Sequence, residues 1–128
     1  MTPLEVQFEI LKSEFPTAHI QKLPSGAALI WISDFPLVNG WRPDKTVIKF
    51  LAPVGYPFAK PDCFWTSQEV RLKNGAMPQN SAINFIPENP QINEMNLWFS
   101  WHAGQWNPNR DNLSTYVHVI ENRFRDPR

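Results

Sequence analysis

The stretch "YPFAKPDCFWT", Tyr56 to Thr66, sets two prolines and the chain's one cysteine directly before an apolar run. Proline fixes φ and carries no backbone N–H, so Pro57 and Pro61 mark a turn and not the interior of a strand. The run that follows, "DCFWTS", is short, β-prone and aromatic, and it reads as a strand with Cys63 inside it. Free cysteine is among the most buried residue types and packs as a small hydrophobe unless electropositive surroundings lower its pKa. Packing is therefore the expected role of Cys63, and the turn before it is expected to define the fold.

Upstream of this stretch lie "AHIQKL", "GAALIWIS" and "KTVIKFLA", three runs rich in Ile, Val, Leu and Phe and separated by Pro-Ser-Gly and Asn-Gly-Trp-Arg-Pro-Asp signals. With "DCFWTS" they make a four-stranded antiparallel meander. The chain opens with "TPLEVQFEILKSEF": Thr2 suits an N-cap, Pro3 the first helical position, and Glu5 the capping-box position. Leu4, Phe8 and Leu11, with Ile10 and Phe15, recur at helical spacing, and Phe15-Pro16 ends the helix. Downstream, residues 69–96 are polar, contain "KNGAMPQN" and "PENPQINEMN", and lack periodicity. They read as a long irregular loop serving a site or an interface. The close, "RDNLSTYVHVIENRF", predicts a second helix capped by Asp111, with Leu113, Tyr116, Val117, Ile120 and Phe124 in one apolar stripe.

A chain of 128 residues has the length of one domain, and the expectation is a single α+β domain over residues 1–128. Twelve Lys plus Arg balance twelve Asp plus Glu, which lacks the basic footprint of a nucleic-acid or anionic-membrane binder. One cysteine makes no intrachain disulfide, and neither a signal pattern nor an apolar run of about 20 residues is present, so a cytoplasmic protein is expected. His19, His102, His118 and Cys63 share no short ligand spacing, so neither a metal nor any other cofactor is expected.

The order of elements, with "YPFAKPDCFWT" and "QWNP" in their places, resembles the ubiquitin-conjugating (UBC) fold, in the form of divergent bacterial conjugating-enzyme-like proteins. That family carries a Tyr-Pro-Phe-x-x-Pro-x-x-x-Phe-x-Thr pattern at this strand, matched here by Tyr56, Pro57, Phe58 and Pro61, with Phe64 and Thr66 each one residue early. It also carries a Trp eight residues after its catalytic cysteine and a Pro shortly after that Trp; Trp106 and Pro108 match. "NPQI", Asn89 to Ile92, resembles the family's His-Pro-Asn-Ile element with its first and third residues changed, Asn89 and Gln91. Eight residues before Trp106 stands Trp98. The family's chemistry is transthiolation, in which a thiolate accepts the C-terminus of a ubiquitin-like protein and a nearby Asn supports the oxyanion. An indole takes no acyl group, so the resemblance implies a degenerate site at Trp98, His102, Asn89 and Gln91 with no catalytic residue.

The same resemblance implies a docking surface on the first helix and the adjoining strand loop "LPSGA", here Glu5, Glu9, Lys12 and Ser25, for an activating-enzyme-like adenylating protein and a ubiquitin-like protein. Glu5, Glu9 and Glu14 outnumber Lys12, where conjugating enzymes usually present basic residues, so a basic partner surface is expected. The reading is a non-catalytic conjugating-enzyme-like binding partner in a ubiquitin-like modification pathway. The alternatives are an active enzyme using Cys63 or another unexpected nucleophile, and an interaction domain unrelated to this chemistry. His102 suits proton transfer, but the expected role is to hydrogen-bond the irregular loop and hold its shape. Ser100, Ser114 and Thr115 have no nucleophile-elbow context. His118 fits the boundary of the apolar stripe. Of the tryptophans, Trp106 is expected in the core, and Trp98 either in the core or on a docking surface with Trp101.

Overall fold

In the computed structural model, which describes residues 2–87 and 94–128, helix α1 spans Pro3–Glu14. Thr2 caps it by accepting the Glu5 backbone N–H at 3.2 Å, as its Thr-Pro-Leu-Glu start predicts. Phe15 is the C-cap. Phe8 and Leu11 are buried, whereas Ile10 is half exposed and does not belong to the packed face.

Strands β1 (Ala18–Lys22), β2 (Ala28–Pro36), β3 (Trp41–Arg42), β4 (Lys45–Ala52) and β5 (Phe64–Ser67) follow. In β1, β2, β4 and β5 the expected meander forms, antiparallel at every step. Cys63 stands one residue before β5, not within it. The stretch expected to be irregular contributes β6 (Arg71–Leu72), β7 (Ser81–Asn84) and the first residue of β8 (Asn96–Phe99). Strands β7 and β8 pair as a hairpin, and β8 docks on β5, giving a six-stranded sheet of order β1-β2-β4-β5-β8-β7; β3 and β6 pair separately. The α+β arrangement of helix, antiparallel sheet and helix holds, with two more strands in the main sheet than the four expected. Four-residue strands with polar members carry too little alternation to be read from sequence.

Helix α2 spans Leu113–Phe124, and its buried face is the expected stripe with Arg123 added. Its cap is Asn112 and not Asp111: the Asn112 side chain accepts from the Thr115 N–H at 3.0 Å while Thr115 Oγ1 accepts from the Asn112 N–H at 3.1 Å. Asp111 instead accepts the Asn107 N–H at 2.7 Å and ties the preceding turn.

Strand alternation divides the interior in two. Ile30 and Ile32 of β2, Ile48 and Phe50 of β4, Phe64 of β5, and Leu97 and Phe99 of β8 face the side covered by both helices. Leu29, Trp65 and Trp98 face the other side, where Leu23 and Ile86 complete a smaller cluster with Cys63 at its margin. At the end of α2, Arg123 is 1 % exposed. Its guanidinium donates to the carbonyls of Gln79, Asp126 and Arg128 and lies 5.3–5.5 Å from the rings of Trp41, Phe99 and Trp101.

Candidate functional site

Two loops meet beside the end of β5. The loop from β4 to β5 carries Tyr56, Pro57, Phe58 and Pro61, and the loop from β8 to α2 carries Trp101, His102, Trp106 and Pro108. Four side chains hold this region in place. Trp106 Nε1 donates to the Pro57 carbonyl at 2.8 Å, Lys60 Nζ to Ala103 O at 3.1 Å, and Tyr116 OH to Trp101 O at 3.2 Å. His102 Nδ1 lies 2.6 Å from Asp62 Oδ1 and 2.8 Å from Asp62 O. Both of its partners are acceptors, so Nδ1 carries the proton and Nε2 is left to solvent.

Tyr56 packs on Trp106 and donates its hydroxyl to Gln7 Oε1, which fastens the loop to α1. Burial, with the Asp111 carboxylate adding to it, pushes the Tyr56 phenol far above its usual range. Pro61 is buried and Pro108 half-buried, while Trp106 is half-buried against the core margin. Tyr56 and Trp106 thus pack against the core. Phe58 does not: it is 80 % exposed, and Val54 of the same loop is 60 % exposed. The sequence pattern alone does not separate Phe58, an exposed apolar protrusion, from its packed neighbours.

Trp98 lies in β8, directly across from Trp65, with its side chain half-buried in the second cluster. Its neighbours in β8, Leu97 and Phe99, face the helices, and Trp101 is half-buried near Arg123. The position that the count from Trp106 assigns to a nucleophile is thus a strand position in the packed sheet. Asn89 and Gln91 lie outside the described residues.

Cys63 borders a hollow of about 140 Å³ with Leu51, Pro53, Lys60, Asp62, Trp65 and Pro87. Burial pushes its thiol pKa up; a hydrogen bond from the Trp98 side chain opposes this, and the Asp62 carboxylate reinforces it. An activated thiolate needs the opposite setting, since cationic neighbours or a helix N-terminus lower the pKa. Native Cys63 is therefore expected to react with a thiol reagent much more slowly than the unfolded chain at neutral pH. Its rate should still be rising at pH values where free cysteine, with a pKa near about 8.5, has levelled off. Fast labelling with a plateau below neutral pH would contradict this setting.

His102 joins the two loops through Asp62. Its side chain and that of Asp62 are more than half exposed, and such pairs contribute at most about 1 kcal/mol. His102→Ala is expected to lower the melting temperature by no more than about 5 °C. A larger fall would mean that this contact organises more of the loop than its own hydrogen bonds. His118 is exposed at the edge of the α2 stripe and lies 3.6 Å from Glu14 and 3.7 Å from Glu121.

The residues assigned to docking sit on α1 and in the β1–β2 turn, and that turn lies at the same end of the sheet as the β4–β5 loop. Glu5 lies 3.8 Å from Lys22, Lys12 Nζ donates to Ala18 O at 3.4 Å, and Glu9 is exposed. Ser25 Oγ accepts the Ala27 N–H at 3.2 Å and holds the β1–β2 turn, where Gly26 takes a φ of +97°. Among the described residues, no group of three or more His, Cys, Asp or Glu is placed to hold a metal ion, and no helix is long and apolar enough to cross a membrane.

A family model described as "Prokaryotic E2 family E" matches residues 10–126. No curated protein and no solved structure matches the chain.

Proposed function

The chain belongs to prokaryotic E2 family E, and from that premise we propose that it is a conjugating-enzyme-like protein that binds an activating-enzyme-like adenylating protein without itself carrying the modifier as a thioester. One observation carries the reading. The only thiol in the chain, Cys63, is half-buried beside a carboxylate, and the residue at the counted nucleophile position, Trp98, is an indole packed into the sheet. Thioester exchange needs an accessible thiolate; burial and the Asp62 carboxylate disfavour one at Cys63, and an indole offers none. The α1 surface and the β1–β2 turn are available for docking, and the exposed Phe58 adds apolar area on the loop that Tyr56 ties to Gln7 of α1.

A second reading draws support from the start of the β8–α2 loop. Asn80, Ser100, Trp101 and His102 line one shallow opening, and Asp62 holds the His102 tautomer that leaves Nε2 free to accept a proton. There the Ser100 hydroxyl, not a thiol, would take the modifier's C-terminal acyl group from the acyl-adenylate formed by the partner, with AMP leaving and the hydroxyl proton passing to His102 Nε2.

Intact-mass measurement distinguishes the two after incubation with ATP, the adenylating protein from the same genome and its ubiquitin-like modifier. The proposal expects an unchanged mass for this chain and its co-elution with the adenylating protein. An adduct released by reductant would overturn it in favour of Cys63. An adduct resistant to reductant, cleaved by hydroxylamine and lost in Ser100→Ala, would establish the second reading.

A further inference from the structure

The six-stranded sheet has two edges, and they are built differently. Strand β1 carries His19, Gln21 and Lys22, and α1 lies against it through Glu5 and Lys12. Charged side chains and a covering helix are ordinary means of keeping an edge from pairing with another chain. Strand β7, at the far edge, reads Ser-Ala-Ile-Asn; it has neither charge nor proline, and all four residues are at least partly exposed. One bond fixes its main-chain alternation. The Ser100 N–H donates to the Asn80 carbonyl at 2.8 Å, so Ala82 and Asn84 spend their polar groups on β8, while Gln79, Ser81 and Ile83 turn theirs outward. Gln79 already bonds main chain from outside the sheet: its N–H donates to the Arg128 carbonyl at 3.0 Å, and its own carbonyl accepts from Arg123. Among the described residues, the next two outward-facing residues, Ser81 and Ile83, have no main-chain partner. Beyond them the Phe85 N–H is taken by Asn84 Oδ1 at 2.8 Å, which ends the run.

We propose that β7 takes an extended, uncharged segment of a partner protein as a further strand of the sheet. The N–H and C=O groups of Ser81 and Ile83 specify an occupant whose own main chain is extended and unpaired, since a helix has spent those groups on itself. Arg128 at Gln79 shows that this register of the edge bonds a main-chain carbonyl. Side chains set the rest. On the face shared with Leu97, Ile83 is 37 % exposed, with Phe85 directly after β7 at 45 % and Met95 directly before β8 at 38 %. Alternate apolar residues of the segment cover them. On the other face Ala82 stands across from half-buried Trp98 and is small, so a side chain beside it reaches the indole. A second copy of the chain fits this edge poorly. Two-fold pairing that uses both free residues sets Ser81 against Ile83 and therefore residue 79 against residue 85, where Arg128 already holds Gln79. The proposal stands apart from the adenylating partner and from any acyl transfer.

The isotope-labelled full chain is titrated with a short acetylated, amidated peptide of alternating valine and threonine, and with the same peptide N-methylated at every residue, which keeps the side chains and removes the donors. In the free protein the Ser81 and Ile83 amides should exchange at least about tenfold faster than those of Ala82 and Asn84. The unmethylated peptide should give saturable shifts at Ser81, Ala82 and Ile83 and, at saturation, slow exchange at Ser81 and Ile83 by at least about tenfold; the methylated peptide should do neither. Ile83→Pro removes an N–H that the sheet does not use, so this variant should melt near the native temperature and lose the peptide, whereas Ile83→Val should keep it. If the proline variant does not fold, the methylated peptide decides alone. Equal binding of both peptides, shifts elsewhere, no shift, or undiminished binding by a folded Ile83→Pro variant would overturn the proposal. So would Ser81 and Ile83 amides already as protected as Ala82 and Asn84 in the dilute free chain. Protection of these amides that rises with protein concentration would overturn it in favour of a second copy.

Discussion

Replacing Arg123 by alanine is expected to lower the melting temperature by roughly 10–20 °C, from a loss of about 3–5 kcal/mol. The guanidinium is 1 % exposed and donates to three carbonyls, those of Gln79, Asp126 and Arg128. Removing it takes the donor from three carbonyls and empties a space bounded by Trp41, Phe99 and Trp101. Burial lowers the pKa of Arg123, Arg128 lowers it further and Asp126 opposes this, yet an arginine stays charged at any pH at which the fold is studied. Arg123→Met, which keeps the volume and removes the donors, should fall between native and alanine. Arg123→Lys keeps a charge without the fork and should remain well below native. An alanine variant melting within about 2 °C of native would show that water replaces these donors at no cost.

Phe99→Ala is expected to cost about 3–5 kcal/mol as well, by a different route. Phe99 is fully buried in β8, stacked on Phe64 at 4.7 Å between ring centroids with 7° between planes, and edge-on to Phe124 at 5.6 Å. Trp41 approaches it at 6.3 Å, and the Arg123 guanidinium lies 5.4 Å from its ring. The side chain thus joins β5, β8 and α2, and β8 in turn carries β7. Truncation should loosen the outer hairpin first, so amide exchange in residues 81–84 and 96–99 should accelerate before that in β2 and β4. Because Phe99 and Arg123 touch, the double variant should lose measurably less than the sum of the two single losses. Strict additivity would mean that the aromatic box and the buried guanidinium act independently.

Local chemistry accounts for how much of this was legible. The first helix follows from Thr2, Pro3 and a three-to-four-residue apolar spacing, and the meander follows from β-branched runs between proline and glycine turns. Each signal lies within a few residues of the element it specifies. The cap of α2 was misplaced by one residue because Asp111 and Asn112 both carry a capping oxygen; the reciprocal bond with Thr115 selects Asn112. Buried Arg123 was invisible for the opposite reason. A cation in a helix's last turn is ordinary in sequence, and only the convergence of three carbonyls and three rings from distant segments makes it an interior residue.

For the candidate site, the residues with a local signature were found and their partners were not. Tyr56, Trp106 and Pro61 declare themselves by motif, but the Pro57 carbonyl that receives Trp106 Nε1 is 49 residues away. The pairing of His102 with Asp62 spans 40 residues. The sequence by itself determined the helices, the meander, the single thiol and the acidic character of α1, because propensity, periodicity and composition are properties of short segments. Only the tertiary structure decided that β7 and β8 extend the sheet, that Trp98 packs opposite Trp65 beside Cys63, that Phe58 stands in solvent, and that Ser81 and Ile83 turn their main chain outward. Each of these depends on which distant segment comes to lie alongside, and that is settled by burial of the whole chain at once.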